Sequence, residues 1–409
     1  MASTLIDAPA HQHWLRAEEI RLAEFARHVV RPDGLGAWLD DDGRPDPRLG
    51  GHTYITARMA YVSYLAALRG IPGARKRADQ LLRGLDTTAR DHVHGGWREH
   101  DGEASDKSAY THALVVLAAA TATMAGAPIA PRPLAEALEV LDQRFWEPRS
   151  GMFADSWTAD WSQCRPYRGV NSNMHLVEAM LAAHDATADT TWAERAVSIC
   201  DFVIEQASAN EWRIPEHYDQ SWRADLDHNR ERPYDQFTPY GATVGHAFEW
   251  SRLIVSTAPI CEDRSRYISA ASELYERASA DGWARNGHDG FVYTTDWTGT
   301  PVVNTRLHWV VAEAIGAAGT LARVTGESRF VEDYMRWWGY ADDVLIDRTR
   351  GSWLHELSES NKPAATIWSG KPDLYHAFQA TLVGQLPLRT SFAAAIRDNV
   401  SIPAVAPRA

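Results

Sequence analysis

The chain of 409 residues is 45% hydrophobic, enough for one large core, and carries a formal net charge of -13 with no run of lysine or arginine. That balance leaves no electrostatic footprint for a phosphate backbone or an anionic lipid surface, so no nucleic acid and no membrane are expected as partners. Residues 1–12 lack a basic segment followed by an apolar stretch, and no segment reaches the roughly 18 apolar residues of a membrane span, which points to a soluble, cytoplasmic protein. Cys164, Cys200 and Cys261 are too widely spaced for a disulfide framework or a zinc ribbon and read as buried, inert thiols.

Hydrophobic periodicity predicts about twelve helical segments, with no linker or composition break to divide them. The first repeats Leu15, Leu22, Phe25 and Val29 on one stripe and places Arg16, Glu18, Glu19, Arg21 and Glu24 mostly elsewhere, as a surface helix does. The next, starting near His52, is of another kind, and further segments of that kind start near Lys107, Val170, Gly241, Asn304 and Pro372. Stretches such as Ala113 to Ala120 and Trp309 to Ala318 are apolar or small nearly all round, which predicts helices buried on every side. Their starts recur every 55 to 70 residues or so, a loose internal repeat.

Amphipathic helices alternating with buried ones imply two concentric layers. The expected fold is therefore all-α, a closed (α/α)6 barrel of six hairpins forming a single domain over residues 1–409. Its ordered core is expected over about 10–388, with 389–409, including Pro403 and Pro407, as a loosely held tail. Between hairpins, Gly95-Gly96-Trp97, Gly151-Met152-Phe153, Gly290-Phe291-Val292-Tyr293 and Gly351-Ser352-Trp353-Leu354 each set glycine before large residues. These runs predict short β-hairpin loops on the rim, forming the walls of a central pocket. Seventeen Trp and fourteen Tyr suit stacking on sugar rings as well as packing over the core.

The polar residues of the buried segments cluster in their first two turns: Arg58, Tyr110, Asn171 with His175, His246 with Glu249, His308 with Glu313, and His376. Taken singly each has a structural explanation, for example a hydrogen-bonded core histidine or a self-satisfied i,i+3 pair at His246 and Glu249. Their coincidence at the same end of six buried helices instead predicts one site. A dimetal centre would need two Glu-x-x-His elements, and His355-Glu356 lacks the second histidine of a zinc-protease motif, so no metal is expected. Glycoside cleavage needs two carboxyls, for which Glu249 and Glu313 could serve, but it leaves the histidines surplus.

Proton transfer on a free monosaccharide fits the inventory better. Imidazole can act as base and then as acid near neutral pH, carrying a proton between adjacent carbons through an enediol. A fixed guanidinium such as Arg58 would stabilise the enediol oxygens, and Glu249 would hold His246 in one tautomer. No cofactor is required, and nothing in the sequence specifies an oligomeric state.

Arg58-Met59 followed by Tyr61, the run Gly169 to His175, the run Gly245 to Leu253, and the run Lys371 to Ala377 resemble the N-acylglucosamine 2-epimerase superfamily, within it the mannose and sulfoquinovose isomerase branch. The resemblance spans about Gly51 to Leu386. It implies a six-hairpin barrel and metal-free, cofactor-free interconversion of sugars at C1 and C2. It places the two catalytic histidines at His246 and His376, with His376 shuttling the proton between C2 and C1 and His246 assisting ring opening or proton return. Arg58, Asn171, His175, Glu249, Trp309 and Glu313 would form the substrate shell, joined by Tyr110 and His308. The loop Tyr234 to Tyr240 holds no arginine, which favours mannose and fructose over a sulfosugar, although Arg223, Arg230 and Arg232 precede it. A sugar 2-epimerase would differ only in where the proton is returned.

Overall fold

A helix with no polar face has to be surrounded by protein, and six helices of this chain are. In the computed structural model, which describes residues 5–102 and 105–401, the inner helices are α2 (Thr53–Leu68), α4 (Ala109–Met124), α6 (Val170–Thr187), α8 (Val244–Thr257), α10 (His308–Thr325) and α12 (Tyr375–Val383). In α4 every residue from Thr111 to Ala122 is buried. The outer helices are α1 (Pro9–Phe25), α3 (Ala74–Thr87), α5 (Pro131–Val140), α7 (Thr190–Ala209), α9 (Arg264–Gly282) and α11 (Ser328–Tyr340). These bury one stripe only, as α3 does with Ala74, Ala78, Leu81, Leu82 and Leu85.

Each inner helix packs against the next, and α12 returns to α2, which closes the ring of an (α/α)6 barrel. Helices α2, α4, α6, α8 and α10 each pack on the outer helix that follows them, whereas α12 finds its outer neighbour in α1. The segment leading into each of the first five inner helices pairs, antiparallel, with the loop one unit further on. His52 bridges His100, and Lys107–Ser108 pairs Ser156–Trp157. Arg168–Gly169 pairs His217–Tyr218, Ala242–Thr243 pairs Thr294–Thr295, and Arg306–Leu307 pairs Glu356–Leu357. These straps stitch neighbouring units together along one rim.

Several expectations need correction. The glycine-aromatic runs do form tight hairpins, with bridges Arg90 to Trp97, Trp283 to Phe291 and Ile346 to Trp353 and a strand pair at Met152–Phe153. Their large side chains, however, turn into the core: Trp97, Phe153, Phe291 and Trp353 are all buried, and only Tyr293 reaches the central cavity. On α1, Glu18 and Glu19 are buried rather than exposed; Glu19 is answered by Arg69 at 3.0 Å and Glu18 accepts from the Trp353 indole at 2.9 Å. Of the cysteines only Cys200 is buried, while Cys164 and Cys261 are half-buried, all three unpaired. The segment expected as a loose tail contains a further helix, α13 (Phe392–Ser401), whose Ala393, Ala395 and Ile396 are buried; Pro403 and Pro407 lie outside the described residues. No helix among the described residues is long and apolar enough to cross a membrane.

The packing role of the hairpin aromatics is testable. Trp97 is fully enclosed and its indole donates to the Leu85 carbonyl at 2.8 Å. Trp97→Ala should lower unfolding stability by about 3–5 kcal/mol in a urea titration while leaving the KM for sugar within about twofold.

Candidate active site

The first turns of all six inner helices open into one cavity of about 670 Å3. Nine of the ten residues singled out from the sequence line it: Arg58, Tyr110, Asn171, His175, His246, Glu249, His308, Trp309 and His376. The exception is Glu313, which lies one layer beneath, behind His376.

Two imidazoles are each fixed by a carboxylate. His376 Nδ1 donates to Glu313 Oε1 at 2.8 Å, and His246 Nδ1 donates to Glu216 Oε2 at 3.0 Å. In both rings this leaves Nε2 as the free lone pair at the cavity. The partner of His246 corrects the sequence reading, which assigned it to Glu249. In an α-helix side chains tilt toward the N-terminus, so His246 in the first turn of α8 leans up to the rim, while Glu249 sits a turn deeper. Glu216 comes from the rim segment after α7, adjacent to the strap His217–Tyr218. It carries no periodic signal and was not among the sequence candidates.

The ring of Trp309 lies 5.3 Å from that of His246 and 5.6 Å from that of His376, forming an apolar floor for both. A Cβ on Gly245 would come within 2.2 Å of this indole, so only glycine there lets the ring lie against α8. Burial, then the positive charge of Arg58, holds His376 well below the usual imidazole range. His308, pushed down to about 4 mainly by burial, donates through Nδ1 to the His355 carbonyl at 3.3 Å; its Nε2, buried and unpartnered, is therefore an acceptor. His355 stacks on it with ring centroids 3.7 Å apart. Burial and then the charge of Glu313 raise Glu249 well above the usual carboxyl range, which favours the protonated form that can donate. Glu249 Oε1 and His175 Nδ1 are both buried without a hydrogen-bond partner, 3.9 Å apart. Three unsatisfied polar groups facing one cavity call for a ligand rich in hydroxyls.

Arg58 lies over the face of Tyr375, 4.6 Å from the ring centroid, and its Nη1 donates to Asp373 at 3.2 Å. The upper wall comes from Gln236 and Phe237 of the loop Tyr234 to Tyr240, from Pro372 at the start of the last buried segment, and from Trp368, which lies in no stretch that the sequence singled out. Trp368 is set by Glu356, whose carboxylate accepts from the backbone N–H groups of Thr366, Ile367 and Trp368 at 2.7, 2.8 and 2.7 Å. The Trp368 loop lacks any helical or strand period, which is why no pattern pointed to it.

Oxygen and nitrogen atoms of Glu249, Glu313 and His376 approach within 4.8 Å of one another, a spacing that could suit a cation. The donor chemistry does not fit one. Both oxygens of Glu313 are already taken, by His376 and by Arg252 Nε at 2.9 Å. Burial disfavours the anionic form of Glu249, and the Arg252 guanidinium lies 3.8 Å from it as a fixed positive charge.

Residues 34–380 match the family model of N-acylglucosamine 2-epimerase. The chain belongs to this family. It is 47% identical to the D-mannose isomerase of Thermobifida fusca, over 95% of this chain and 97% of that one. It is 42% identical to the D-mannose isomerase of Pseudomonas cannabina pv. alisalensis, over 96% and 97% of the two chains. Among solved structures it is similar to a crystal structure of D-mannose isomerase, with a TM-score of 0.86 at 26% identity, covering 92% of this chain and 98% of that one.

Glu356 does not itself line the cavity yet orients Trp368, which does. Glu356→Ala should therefore raise KM about tenfold, equivalent to about 1.4 kcal/mol of binding, with a smaller change in kcat, as steady-state kinetics would reveal.

Proposed function

We propose that the protein is an aldose–ketose isomerase that interconverts D-mannose and D-fructose through a cis-enediol. The observation that carries this reading is the pair of imidazoles, each locked through Nδ1 to a carboxylate and each presenting a free Nε2 to one cavity. His376 Nε2 removes the proton from C2 of the open-chain aldose while the aldehyde oxygen gains one. The same imidazolium returns its proton to C1 as the C2 hydroxyl loses its own, so no proton is gained or lost overall. His246 handles the oxygen protons during ring opening and transfer. Arg58 opposes the negative charge that grows on the enediol oxygens, and the neutral Glu249 carboxyl donates to a sugar oxygen. Asn171, His175, His308 and Tyr110 supply hydroxyl contacts, with Trp309 beneath an apolar face of the sugar.

A neutral sugar is favoured by the charges present. Arg230 is paired with Asp227 and Arg232 with Asn229 on the exposed loop, neither these nor Arg223 lines the cavity, and Arg58 is shared with Asp373. Hydrolysis is disfavoured because Glu313 lies behind His376, so Glu249 and Glu313 do not flank a bond in the cavity. A 2-epimerase would use the same groups and return the proton to C2. Three unpaired cysteines fit a reducing compartment, and we place the protein in the cytoplasm.

Incubation with mannose in deuterated water should yield fructose carrying deuterium at C1 and should survive EDTA; glucose as the main product would instead identify a 2-epimerase, and loss of activity with EDTA would sink the metal-free mechanism. His376→Asn should cut kcat by on the order of 10^3 or more with the circular dichroism spectrum unchanged. Because the depressed His376 pKa keeps its base form populated at mild acidity, the acid limb of kcat/KM should fall below pH 6.5, the ordinary imidazole value, in a pH–rate profile.

A further inference from the structure

The barrel has a second cavity of about 580 Å3, at the end opposite the sugar pocket, and Arg252 lines it together with Glu178, Phe392 and Ala395. Arg252 is 4% exposed and lies at the barrel axis. Its Nε donates to Glu313 at 2.9 Å, its Nη2 donates to Gln379 at 3.2 Å, and its Nη1 is 3.9 Å from Glu178. Gln379 in turn donates to Glu178 at 2.8 Å, and Glu178 accepts from the Tyr375 hydroxyl. Glu313 is the carboxyl that the guanidinium hydrogen-bonds directly, whereas Glu178 and Glu249, both raised by burial, stand 3.9 and 3.8 Å from it. Glu313 thus has one oxygen on Arg252 and the other on His376. Gly316 makes room for this, since a Cβ there would come within 3.1 Å of Arg252 Cδ.

Helix α13 closes the cavity from below. Ser391 caps it, accepting from Ala394 N–H at 3.2 Å, and Ser391 and Thr390 donate to Asp185 of α6 at 2.6 and 2.8 Å. The ring of Phe392 faces the Arg252 guanidinium at 5.8 Å. Without this cover, water would reach Arg252 and weaken its hold on Glu313.

We propose that Arg252 is a positioning residue that sets His376 through Glu313, and that α13 serves the same device by keeping the far end of the barrel dry. This rests on the assignment of His376 as the proton carrier. A proton wire to solvent is not its purpose, since the isomerisation has no net proton to dispose of. Around His376 the other charged or titratable groups are Arg58 on α2, His175 on α6, His246 and Glu249 on α8, His308 on α10, His355 on the loop after α11, Asp373 just before α12 and Tyr375 on α12 itself. None of them lines the cavity that α13 closes.

Arg252→Met should lower kcat at least about thirtyfold with KM within about threefold, and move the acid limb of the kcat profile to higher pH, because a nearby cation that disfavours imidazolium has gone. Arg252→Lys should recover part of both changes. Phe392→Ala, remote from the sugar, should shift the limb the same way with a loss of about three- to tenfold in kcat and an unchanged KM. A Phe392→Ala enzyme with normal kcat and a normal acid limb, however much its Tm fell, would overturn the role of α13; loss in Arg252→Met expressed through KM would overturn that of Arg252. Titration of the His376 resonance in 15N-histidine-labelled protein gives a readout independent of turnover. An upward shift in both variants supports the proposal and an unmoved titration refutes it. Failure of the wild-type enzyme to act on mannose would instead refute the proposed function.

Discussion

A guanidinium buried at the axis of a helical barrel has to be neutralised from within, and the polar interior of this protein is organised around that requirement. Arg252 cannot reach water, and a bare cation in such a place would cost several kcal/mol. Its answering partner is Glu313, which accepts directly from its Nε, while the two other carboxyls within reach, Glu178 and Glu249, stand 3.9 and 3.8 Å away and are both raised by burial. Glu313 can then serve as a hydrogen-bond acceptor for His376 only in the orientation that Arg252 leaves it. The catalytic geometry is in this sense a by-product of charge balance.

The same dryness sets the chemistry of the histidines. An imidazole in water is partly protonated near neutrality, whereas burial and the nearby guanidinium of Arg58 keep His376 neutral. His175, His308 and His355 are pushed the same way, each chiefly by burial. The pocket therefore carries several acceptor nitrogens with little positive charge beyond Arg58, a surface matched to hydroxyl groups rather than to an anion. Glu249 complements them as a carboxyl that donates. A polyol meets donors and acceptors here that water alone would satisfy less completely.

Much of this was legible in the sequence. Segments such as Ala113 to Ala120 have no polar face, which predicted six buried helices, and Tyr110, Asn171, His175, His246, His308 and His376 could be placed at their starts by counting turns. Contacts between elements were not legible where they depend on direction. Glu249 shares a helical face with His246, yet the tilt of side chains toward the helix start hands that ring to Glu216 on the rim. Gln236, Phe237 and Trp368 come from loops whose conformation is fixed by single interactions, such as the Glu356 carboxylate on three successive backbone N–H groups, and no periodicity encodes those. Glu18 and Glu19 were placed outside because charge usually lies there; Arg69 and Trp353, distant in sequence, are what bring them in.

The strap pattern on the rim has a different consequence, for the order in which the molecule can be assembled. Each strap joins a unit to the one that follows it, over loops of roughly 50 residues, so the first five joints are local. The seam that α12 makes with α1 and α2 joins units that are not consecutive in the chain, and it spans some 320 to 370 residues. Its loop-closure entropy exceeds that of the other joints by roughly 1.5–2 kcal/mol. Until that seam forms, α12 lacks its outer helix and the inner face carrying His376 and Gln379 has no closed ring to belong to. Ring closure and completion of the site are therefore a single event, and a partly wound barrel is a chain of hairpins with no place for a sugar.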